Sequence, residues 1–202
     1  MNISSMLESD LAFPHNYEIE EFGGLPGTGT LKVPLIYFPP PKGRSEHNGE
    51  WLKVKAKSGR TWVGVFAFGS GSRTGAISTP EPNTVCVISK GGGYLVNVET
   101  PELWEEVRAC PVIDFRFLPE HELLVFSDFT RLAAYGGNGF VWRSPQVCWD
   151  DLKITNVTRE TIEGTGYDPT NSFKKEMRFA VDLKTGRSLI PPPVSTNGKA
   201  VW

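Results

Sequence analysis

Cysteine and histidine are scarce in this 202-residue chain, with three of each. None of His15, His47 or His121 has a second His or Cys at ligand spacing. A closed zinc site needs four such ligands in short-range pairs, so no metal centre is expected. The cysteines, Cys86, Cys110 and Cys148, are odd in number and sit in apolar, strand-like contexts. They are expected to be buried free thiols of a reducing compartment. An excess of one charge is also missing: 21 basic against 23 acidic residues leave a net charge of -2. Nothing therefore pulls the chain toward nucleic acid or an anionic membrane, and neither is expected as a partner. No apolar run approaches the roughly 20 residues that span a bilayer. The first residues, MNISSMLESDLAF, lack a basic n-region and a long apolar stretch. The expectation is no signal peptide and a cytoplasmic location.

Nucleotide and nucleophile motifs are lacking as well. GVFAFGSGSRTG (64–75) has glycines after a strand-like run, but Pro80 and Pro82 forbid the helix a dinucleotide site needs. GLPGTGTLK (24–32) has no G-K-[ST], and no G-x-S-x-G occurs anywhere. YDPTNS (167–172) falls short of a calcium loop. No cofactor is expected.

What the chain has is turns and aromatics. Its 21 Gly and 16 Pro are spread between short apolar runs, the pattern of a β-rich protein. Residues 1–30 are the least regular; SSMLESDL (4–11) is read as a short helix capped by Ser4 or Ser5. Residues 31–202 are expected to form one all-β domain. TLKVPLIYF (30–38) reads as a strand. EWLKVKAK (50–57) alternates, with Val54 and Ala56 on one side and three lysines on the other, and returns through SGR into TWVGVFAFG (61–69) as a hairpin. Farther on, strand, turn, strand, tight turn, strand recurs near 76–107, 112–144 and 147–190. A spacing of 38 residues separates both Val87 from Val125 and Asn97 from Tyr135. A period near 40 is that of propeller blades.

RLAAYGGNGFVWRS (131–144) resembles a quinoprotein-type propeller blade, and FAVDLKTGRSL (179–189) resembles the same pattern without the Trp. GGGYLVNVETPELWEEV (91–107) resembles a kelch blade. The resemblance implies a propeller-like array. About three units are visible, fewer than the usual four to eight blades. The fold expected is therefore all-β antiparallel meanders forming a partial or small propeller, the alternative being a β-sandwich or barrel. Such an array leaves sheet edges, which a protein partner, a second copy or the N-terminal segment would cover.

Two functions follow. The first is a non-catalytic binding or scaffold module, with Asp128, Arg131, Tyr135, Asn138, Trp142 and Trp149 as candidate ligand- or partner-binding residues and no catalytic residue. Aromatics beside polar groups can stack on sugars or planar side chains. Trp142 and Trp149 also suit a core, Asp128 and Arg131 could pair across the turn SDFTR, and Gly136-Gly137-Asn138-Gly139 supplies positive-φ residues for a hairpin. The second is a carbohydrate-active hydrolase or lyase using acids on one face, for which Asp114, Asp128 and Asp150 are the candidates. The neighbours Glu105-Glu106 and Asp150-Asp151 cannot flank one bond, because adjacent strand residues point to opposite faces.

Overall fold

Sixteen strands and one short 3-10 turn make up a computed structural model that describes residues 8–24, 31–41, 48–169 and 176–190. The chain divides into two compact units, Met1–Val107 and Arg108–Trp202. Among the described residues every sheet is built mainly from antiparallel pairs, and none closes into a barrel or propeller. Among the described residues no helix is long and apolar enough to cross a membrane.

The first unit holds two sheets. One is ordered β1-β6-β7-β8-β9, from β1 (Glu8–Asp10), β6 (Gly75–Ser78), β7 (Thr84–Ser89), β8 (Gly92–Asn97) and β9 (Trp104–Glu106). The other is ordered β2-β4-β5-β3, from β2 (Tyr17–Glu21), β3 (Leu35–Phe38), β4 (Gly49–Ala56) and β5 (Thr61–Ala67). The hairpin read at 50–69 is β4 and β5, paired antiparallel. On β4, Leu52, Val54 and Ala56 are buried, while Lys53 and Lys55 reach Glu20 and Glu18 of β2 at 3.0 and 3.2 Å. That two-residue period splits the strand into a dry and a wet face. Trp62, Phe38, Phe66, Val87 and Val96 fill the core, and the Trp62 indole donates to the Val98 carbonyl at 3.0 Å.

Two local readings change here. Glu8–Asp10, expected within a short helix, is strand β1, parallel on the edge of β6; residues 1–7 lie outside the described residues. The sheet edge offers these residues backbone partners, which an isolated turn of helix lacks. Among the described residues 31–38 the strand covers Leu35–Phe38 only, and it pairs parallel with β5, not in a meander. The glycine run after β5 is a loop whose backbone clasps the next hairpin turn: Gly69 N–H donates to Ser89, and Gly71 N–H to Lys90.

The second unit is simpler. β10 (Asp114–Leu118), β11 (Leu123–Ser127), β12 (Leu132–Gly136) and β13 (Gly139–Arg143) form a meander in chain order. β14 (Asp150–Val157), β15 (Thr161–Tyr167) and β16 (Glu176–Asp182) form a second one, three strands wide. The last strand expected in the 147–190 unit is, among the described residues, a single bridge, Ser188 to Val181. Val125, Leu132, Ala134, Trp142, Leu152, Ile162, Phe179 and Val181 make one core from both sheets. The Trp142 indole donates to the Leu183 carbonyl at 2.8 Å and so ties the four-stranded sheet to the chain leaving β16. Gly186, at φ +72°, completes that exit turn; a Cβ there would meet the Trp142 ring at 2.7 Å.

Candidate functional site

In an antiparallel meander alternate turns fall at opposite ends, so the second unit has two distinct ends. One carries the 128–131 turn and the 147–151 entry into β14, joined by Val147 N–H donating to the Thr130 carbonyl at 2.9 Å. The other carries the turns after β10, β14 and β16.

The first end holds Asp128, Arg131 and Trp149 of the expected residues. Asp128 is buried, and its Oδ1 accepts from the Thr130 and Arg131 backbone N–H groups, each at 2.7 Å, and from Thr130 Oγ1 at 3.1 Å. Its ion pair is with Arg143, at 3.3 Å, not with Arg131 as the turn sequence implied. Arg143 stands at the end of β13, where the hairpin register brings it to the 128–131 turn; Arg131 contributes only its backbone. An aspartate that closes its own turn and holds a neighbouring arginine has its acceptor sites in use. Cys148 Sγ–H donates to the Phe129 carbonyl at 3.4 Å, and burial pushes its thiol up to about 12. Burial raises Cys86 as well. Both are buried as expected, whereas Cys110 is exposed, in the connection into β10 rather than in a strand. Trp149 Nε1 is buried with no hydrogen-bond partner among the described residues.

The remaining expected residues do not join them. Tyr135 and Trp142 lie on opposite faces of the β10–β13 sheet. Tyr135 packs edge-on against Phe126 and Phe140, and its hydroxyl accepts from the Arg108 N–H at 2.9 Å. Trp142 is in the core. Asn138 is exposed on the β12–β13 turn, at the other end from Asp128. Of the four turn residues read as positive-φ, only Gly139 is so, at +90°. The pairing shifts between Ala134 and Tyr135, so that Val141 has no partner opposite it and stands 46% exposed.

That bulge faces a groove the sequence did not disclose. A hollow of about 570 Å³ is lined by His121, Leu123, Val141, Arg159, Glu160, Asp182, Leu183 and Lys184. Three turns present its polar groups, and each is locked by its own chemistry. Pro119 opens the 3-10 turn Pro119–His121, which Glu122 closes at φ +51° with its N–H on the Pro119 carbonyl. Thr158 Oγ1 accepts from the Glu160 and Thr161 N–H groups at 3.2 and 2.9 Å and holds Arg159 at a tip. Asp182 Oδ1 accepts from Thr185 N–H and Oγ1 at 2.7 and 2.6 Å and leaves Lys184 at another. These Thr185 bonds hold the Asp182 carboxyl below its usual value. The side chains of His121, Arg159 and Lys184 have no hydrogen-bond or ion-pair partner among the described residues. The turn signatures of Pro119, Thr158-Thr161 and Asp182-Thr185-Gly186 are visible in sequence. Their convergence is not, since they are far apart along the chain.

The carboxylates considered for hydrolysis are engaged one by one. Asp114 pairs with Arg116 at 2.6 Å, Asp128 closes its turn, and Asp150 Oδ1 accepts from the Asp151 N–H at 2.7 Å. Among the described residues no three of His, Cys, Asp and Glu gather where they could hold a metal ion.

No protein-family model matches the sequence, and no curated protein does. Among solved structures, the chain is similar to one from a Saccharomyces cerevisiae complex of Dbp5 bound to Nup159, Gle1, IP6 and ADP. The overlap covers 90% of this chain and 68% of that one, at 7% identity and a TM-score of 0.27. At that score the likeness carries no statement about fold or function.

Proposed function

We propose that this chain is a non-catalytic binding module of propeller-like β meanders, working on a protein partner. The carrying observation is the groove of the second unit: three locked turns deliver three unpaired hydrogen-bond donors around an apolar floor. Ligand sites combine an apolar lining with a few convergent polar groups in hollows of this size. The blade-like reading draws support from β6–β9, β10–β13 and β14–β16, consecutive meanders that each run in chain order. Val87 and Val125 fall in the second strand of their meanders, although the following turns differ: Lys90 and Gly91 in one, residues 128–131 in the other.

The test is a panel of soluble glycans and peptides followed in parallel by thermal shift and product formation. A saturable rise in melting temperature with no product is the expected result. Cleavage of a glycan, lost in Asp128→Asn or Asp150→Asn, would overturn the reading in favour of a carbohydrate-active hydrolase or lyase.

A further inference from the structure

Asparagine followed by glycine occurs three times in the sequence, at Asn48, Asn138 and Asn197. Asn197 lies outside the described residues. The other two are both exposed, so exposure does not separate them, but their backbones are held differently. Gly49 opens β4 as the register partner of Ala67, and the Asn48 carbonyl accepts from the Phe68 N–H at 3.3 Å. A Cβ on Gly49 would collide with the Phe66 carbonyl. Asn138 instead belongs to the pair, Gly137 and Asn138, that joins the register partners Gly136 and Gly139 across the β12–β13 turn. Its side chain has no hydrogen-bond partner among the described residues. Gly139, at φ +90°, has no atom within 4 Å of where its Cβ would stand. The turn stands beside the groove: a Cβ on Gly136 would meet Val141 at 3.3 Å and Leu123 at 3.6 Å, and both line the hollow.

We propose that Asn138 is a site of spontaneous deamidation, and that the fold selects it over Asn48. The Gly139 backbone nitrogen, on losing its proton to hydroxide, attacks Cγ of Asn138. The new N–Cγ bond closes a succinimide ring, and the Cγ–Nδ2 bond breaks to release ammonia. Water then opens the ring at either carbonyl and leaves aspartate or isoaspartate, so the sum is a water taken up and an ammonia released. Glycine in the following position favours closure because it carries no Cβ to crowd the ring and its backbone turns freely. At Asn48 the ring needs room that the Phe66 carbonyl occupies, and closure waits on local opening of the β4–β5 pair. Asn138 stands outside the ladder, and the open space at Gly139 leaves the ring its room. The product places a carboxylate beside the groove where the sequence has a neutral amide, and isoaspartate also lengthens the turn by a backbone atom.

The test holds the full chain at mildly alkaline pH and follows amide-to-acid conversion by mass spectrometry after trypsin digestion. The tryptic peptide 132–143 contains Asn138 as its only side-chain amide, and 45–53 contains only Asn48. Isoaspartate is read separately by enzymatic carboxyl methylation. In folded protein the 132–143 peptide is expected to convert at least tenfold faster than 45–53, and in urea the two are expected to convert at similar rates. Asn138→Gln is expected to abolish conversion of 132–143, because the longer side chain does not close the same ring. The site is exposed, so an unchanged unfolding curve verifies that this variant folds. Equal rates in folded protein, or a faster Asn48, would overturn the selection by the fold. A tenfold gap that persists in urea would assign the difference to neighbouring sequence and overturn it equally. No conversion of 132–143 in folded protein, over a period that converts it in urea, would overturn the site itself.

Discussion

The two ends of the second unit use similar residues to opposite effect. At the 128–131 end the buried Asp128 carboxylate has four contacts, all within its own turn or with Arg143. At the groove end Arg159 and Lys184 project from turns that other residues have already closed. A polar group whose partners come from its own turn holds the fold. One left over after the turn is satisfied is available to a ligand. Aspartate shows both sides of this: Asp182, at the groove, also spends one oxygen on its own turn, through Thr185.

The largest effect should come from the core that both ends share. Trp142→Ala removes a buried ring and its bond to the Leu183 carbonyl, and is expected to lower stability by about 4 kcal/mol in urea unfolding. A loss below about 1 kcal/mol would mean that the two sheets do not depend on this contact.

Asp128→Ala comes next. It leaves the Thr130 and Arg131 N–H groups without their acceptor, and about 2 kcal/mol of destabilisation is expected from the same measurement. The Arg143 pair adds little to this, because Arg143 is partly exposed. If Asp128→Ala were neutral, the contrast between the ends would fail on its structural side.

Asp182→Asn should show its effect as a pH dependence. The folded carboxyl lies below its usual 3.8, so the charged form is favoured by folding. Its contribution is present above the unfolded value, about 3.9, and is lost as pH falls through the lower folded value. The wild-type chain should therefore lose stability relative to Asp182→Asn only on going below about pH 4. A difference that is larger below about pH 4 than at neutral pH, or that still grows above about pH 6, would refute the assignment. The group is exposed, so the effect is small.

The smallest effect is expected at the groove rim. Arg159→Ala and Lys184→Ala should each lie within about 0.5 kcal/mol of wild type, because both side chains are exposed and neither holds a hydrogen bond or ion pair to a described residue. A larger loss would show that they hold the turns, and the two ends would then be alike.

How much of this was legible depends on how local the cause is. The hairpin of β4 and β5 could be read because a two-residue period over one strand needs no distant information. The strands of the β10–β13 meander could be read from short apolar runs set between turn residues, a signal that is also local. Glu8–Asp10 could not, since its strand exists only because β6 offers it an edge. The Asp128 partner was misassigned because proximity in sequence favoured Arg131, while strand pairing brought Arg143. The groove was hidden altogether: Pro119, Thr158 and Asp182 announce turns, and nothing in their spacing says that the turns meet.

The sequence by itself determined that the chain is all-β and where most strands and turns lie, because side-chain alternation and turn chemistry act over a few residues. Which edge each strand joins, which charges pair and which stay free were decided only by tertiary structure. Those outcomes depend on the register and on the end of the sheet at which each turn arrives, and both are set by packing between residues far apart in the chain.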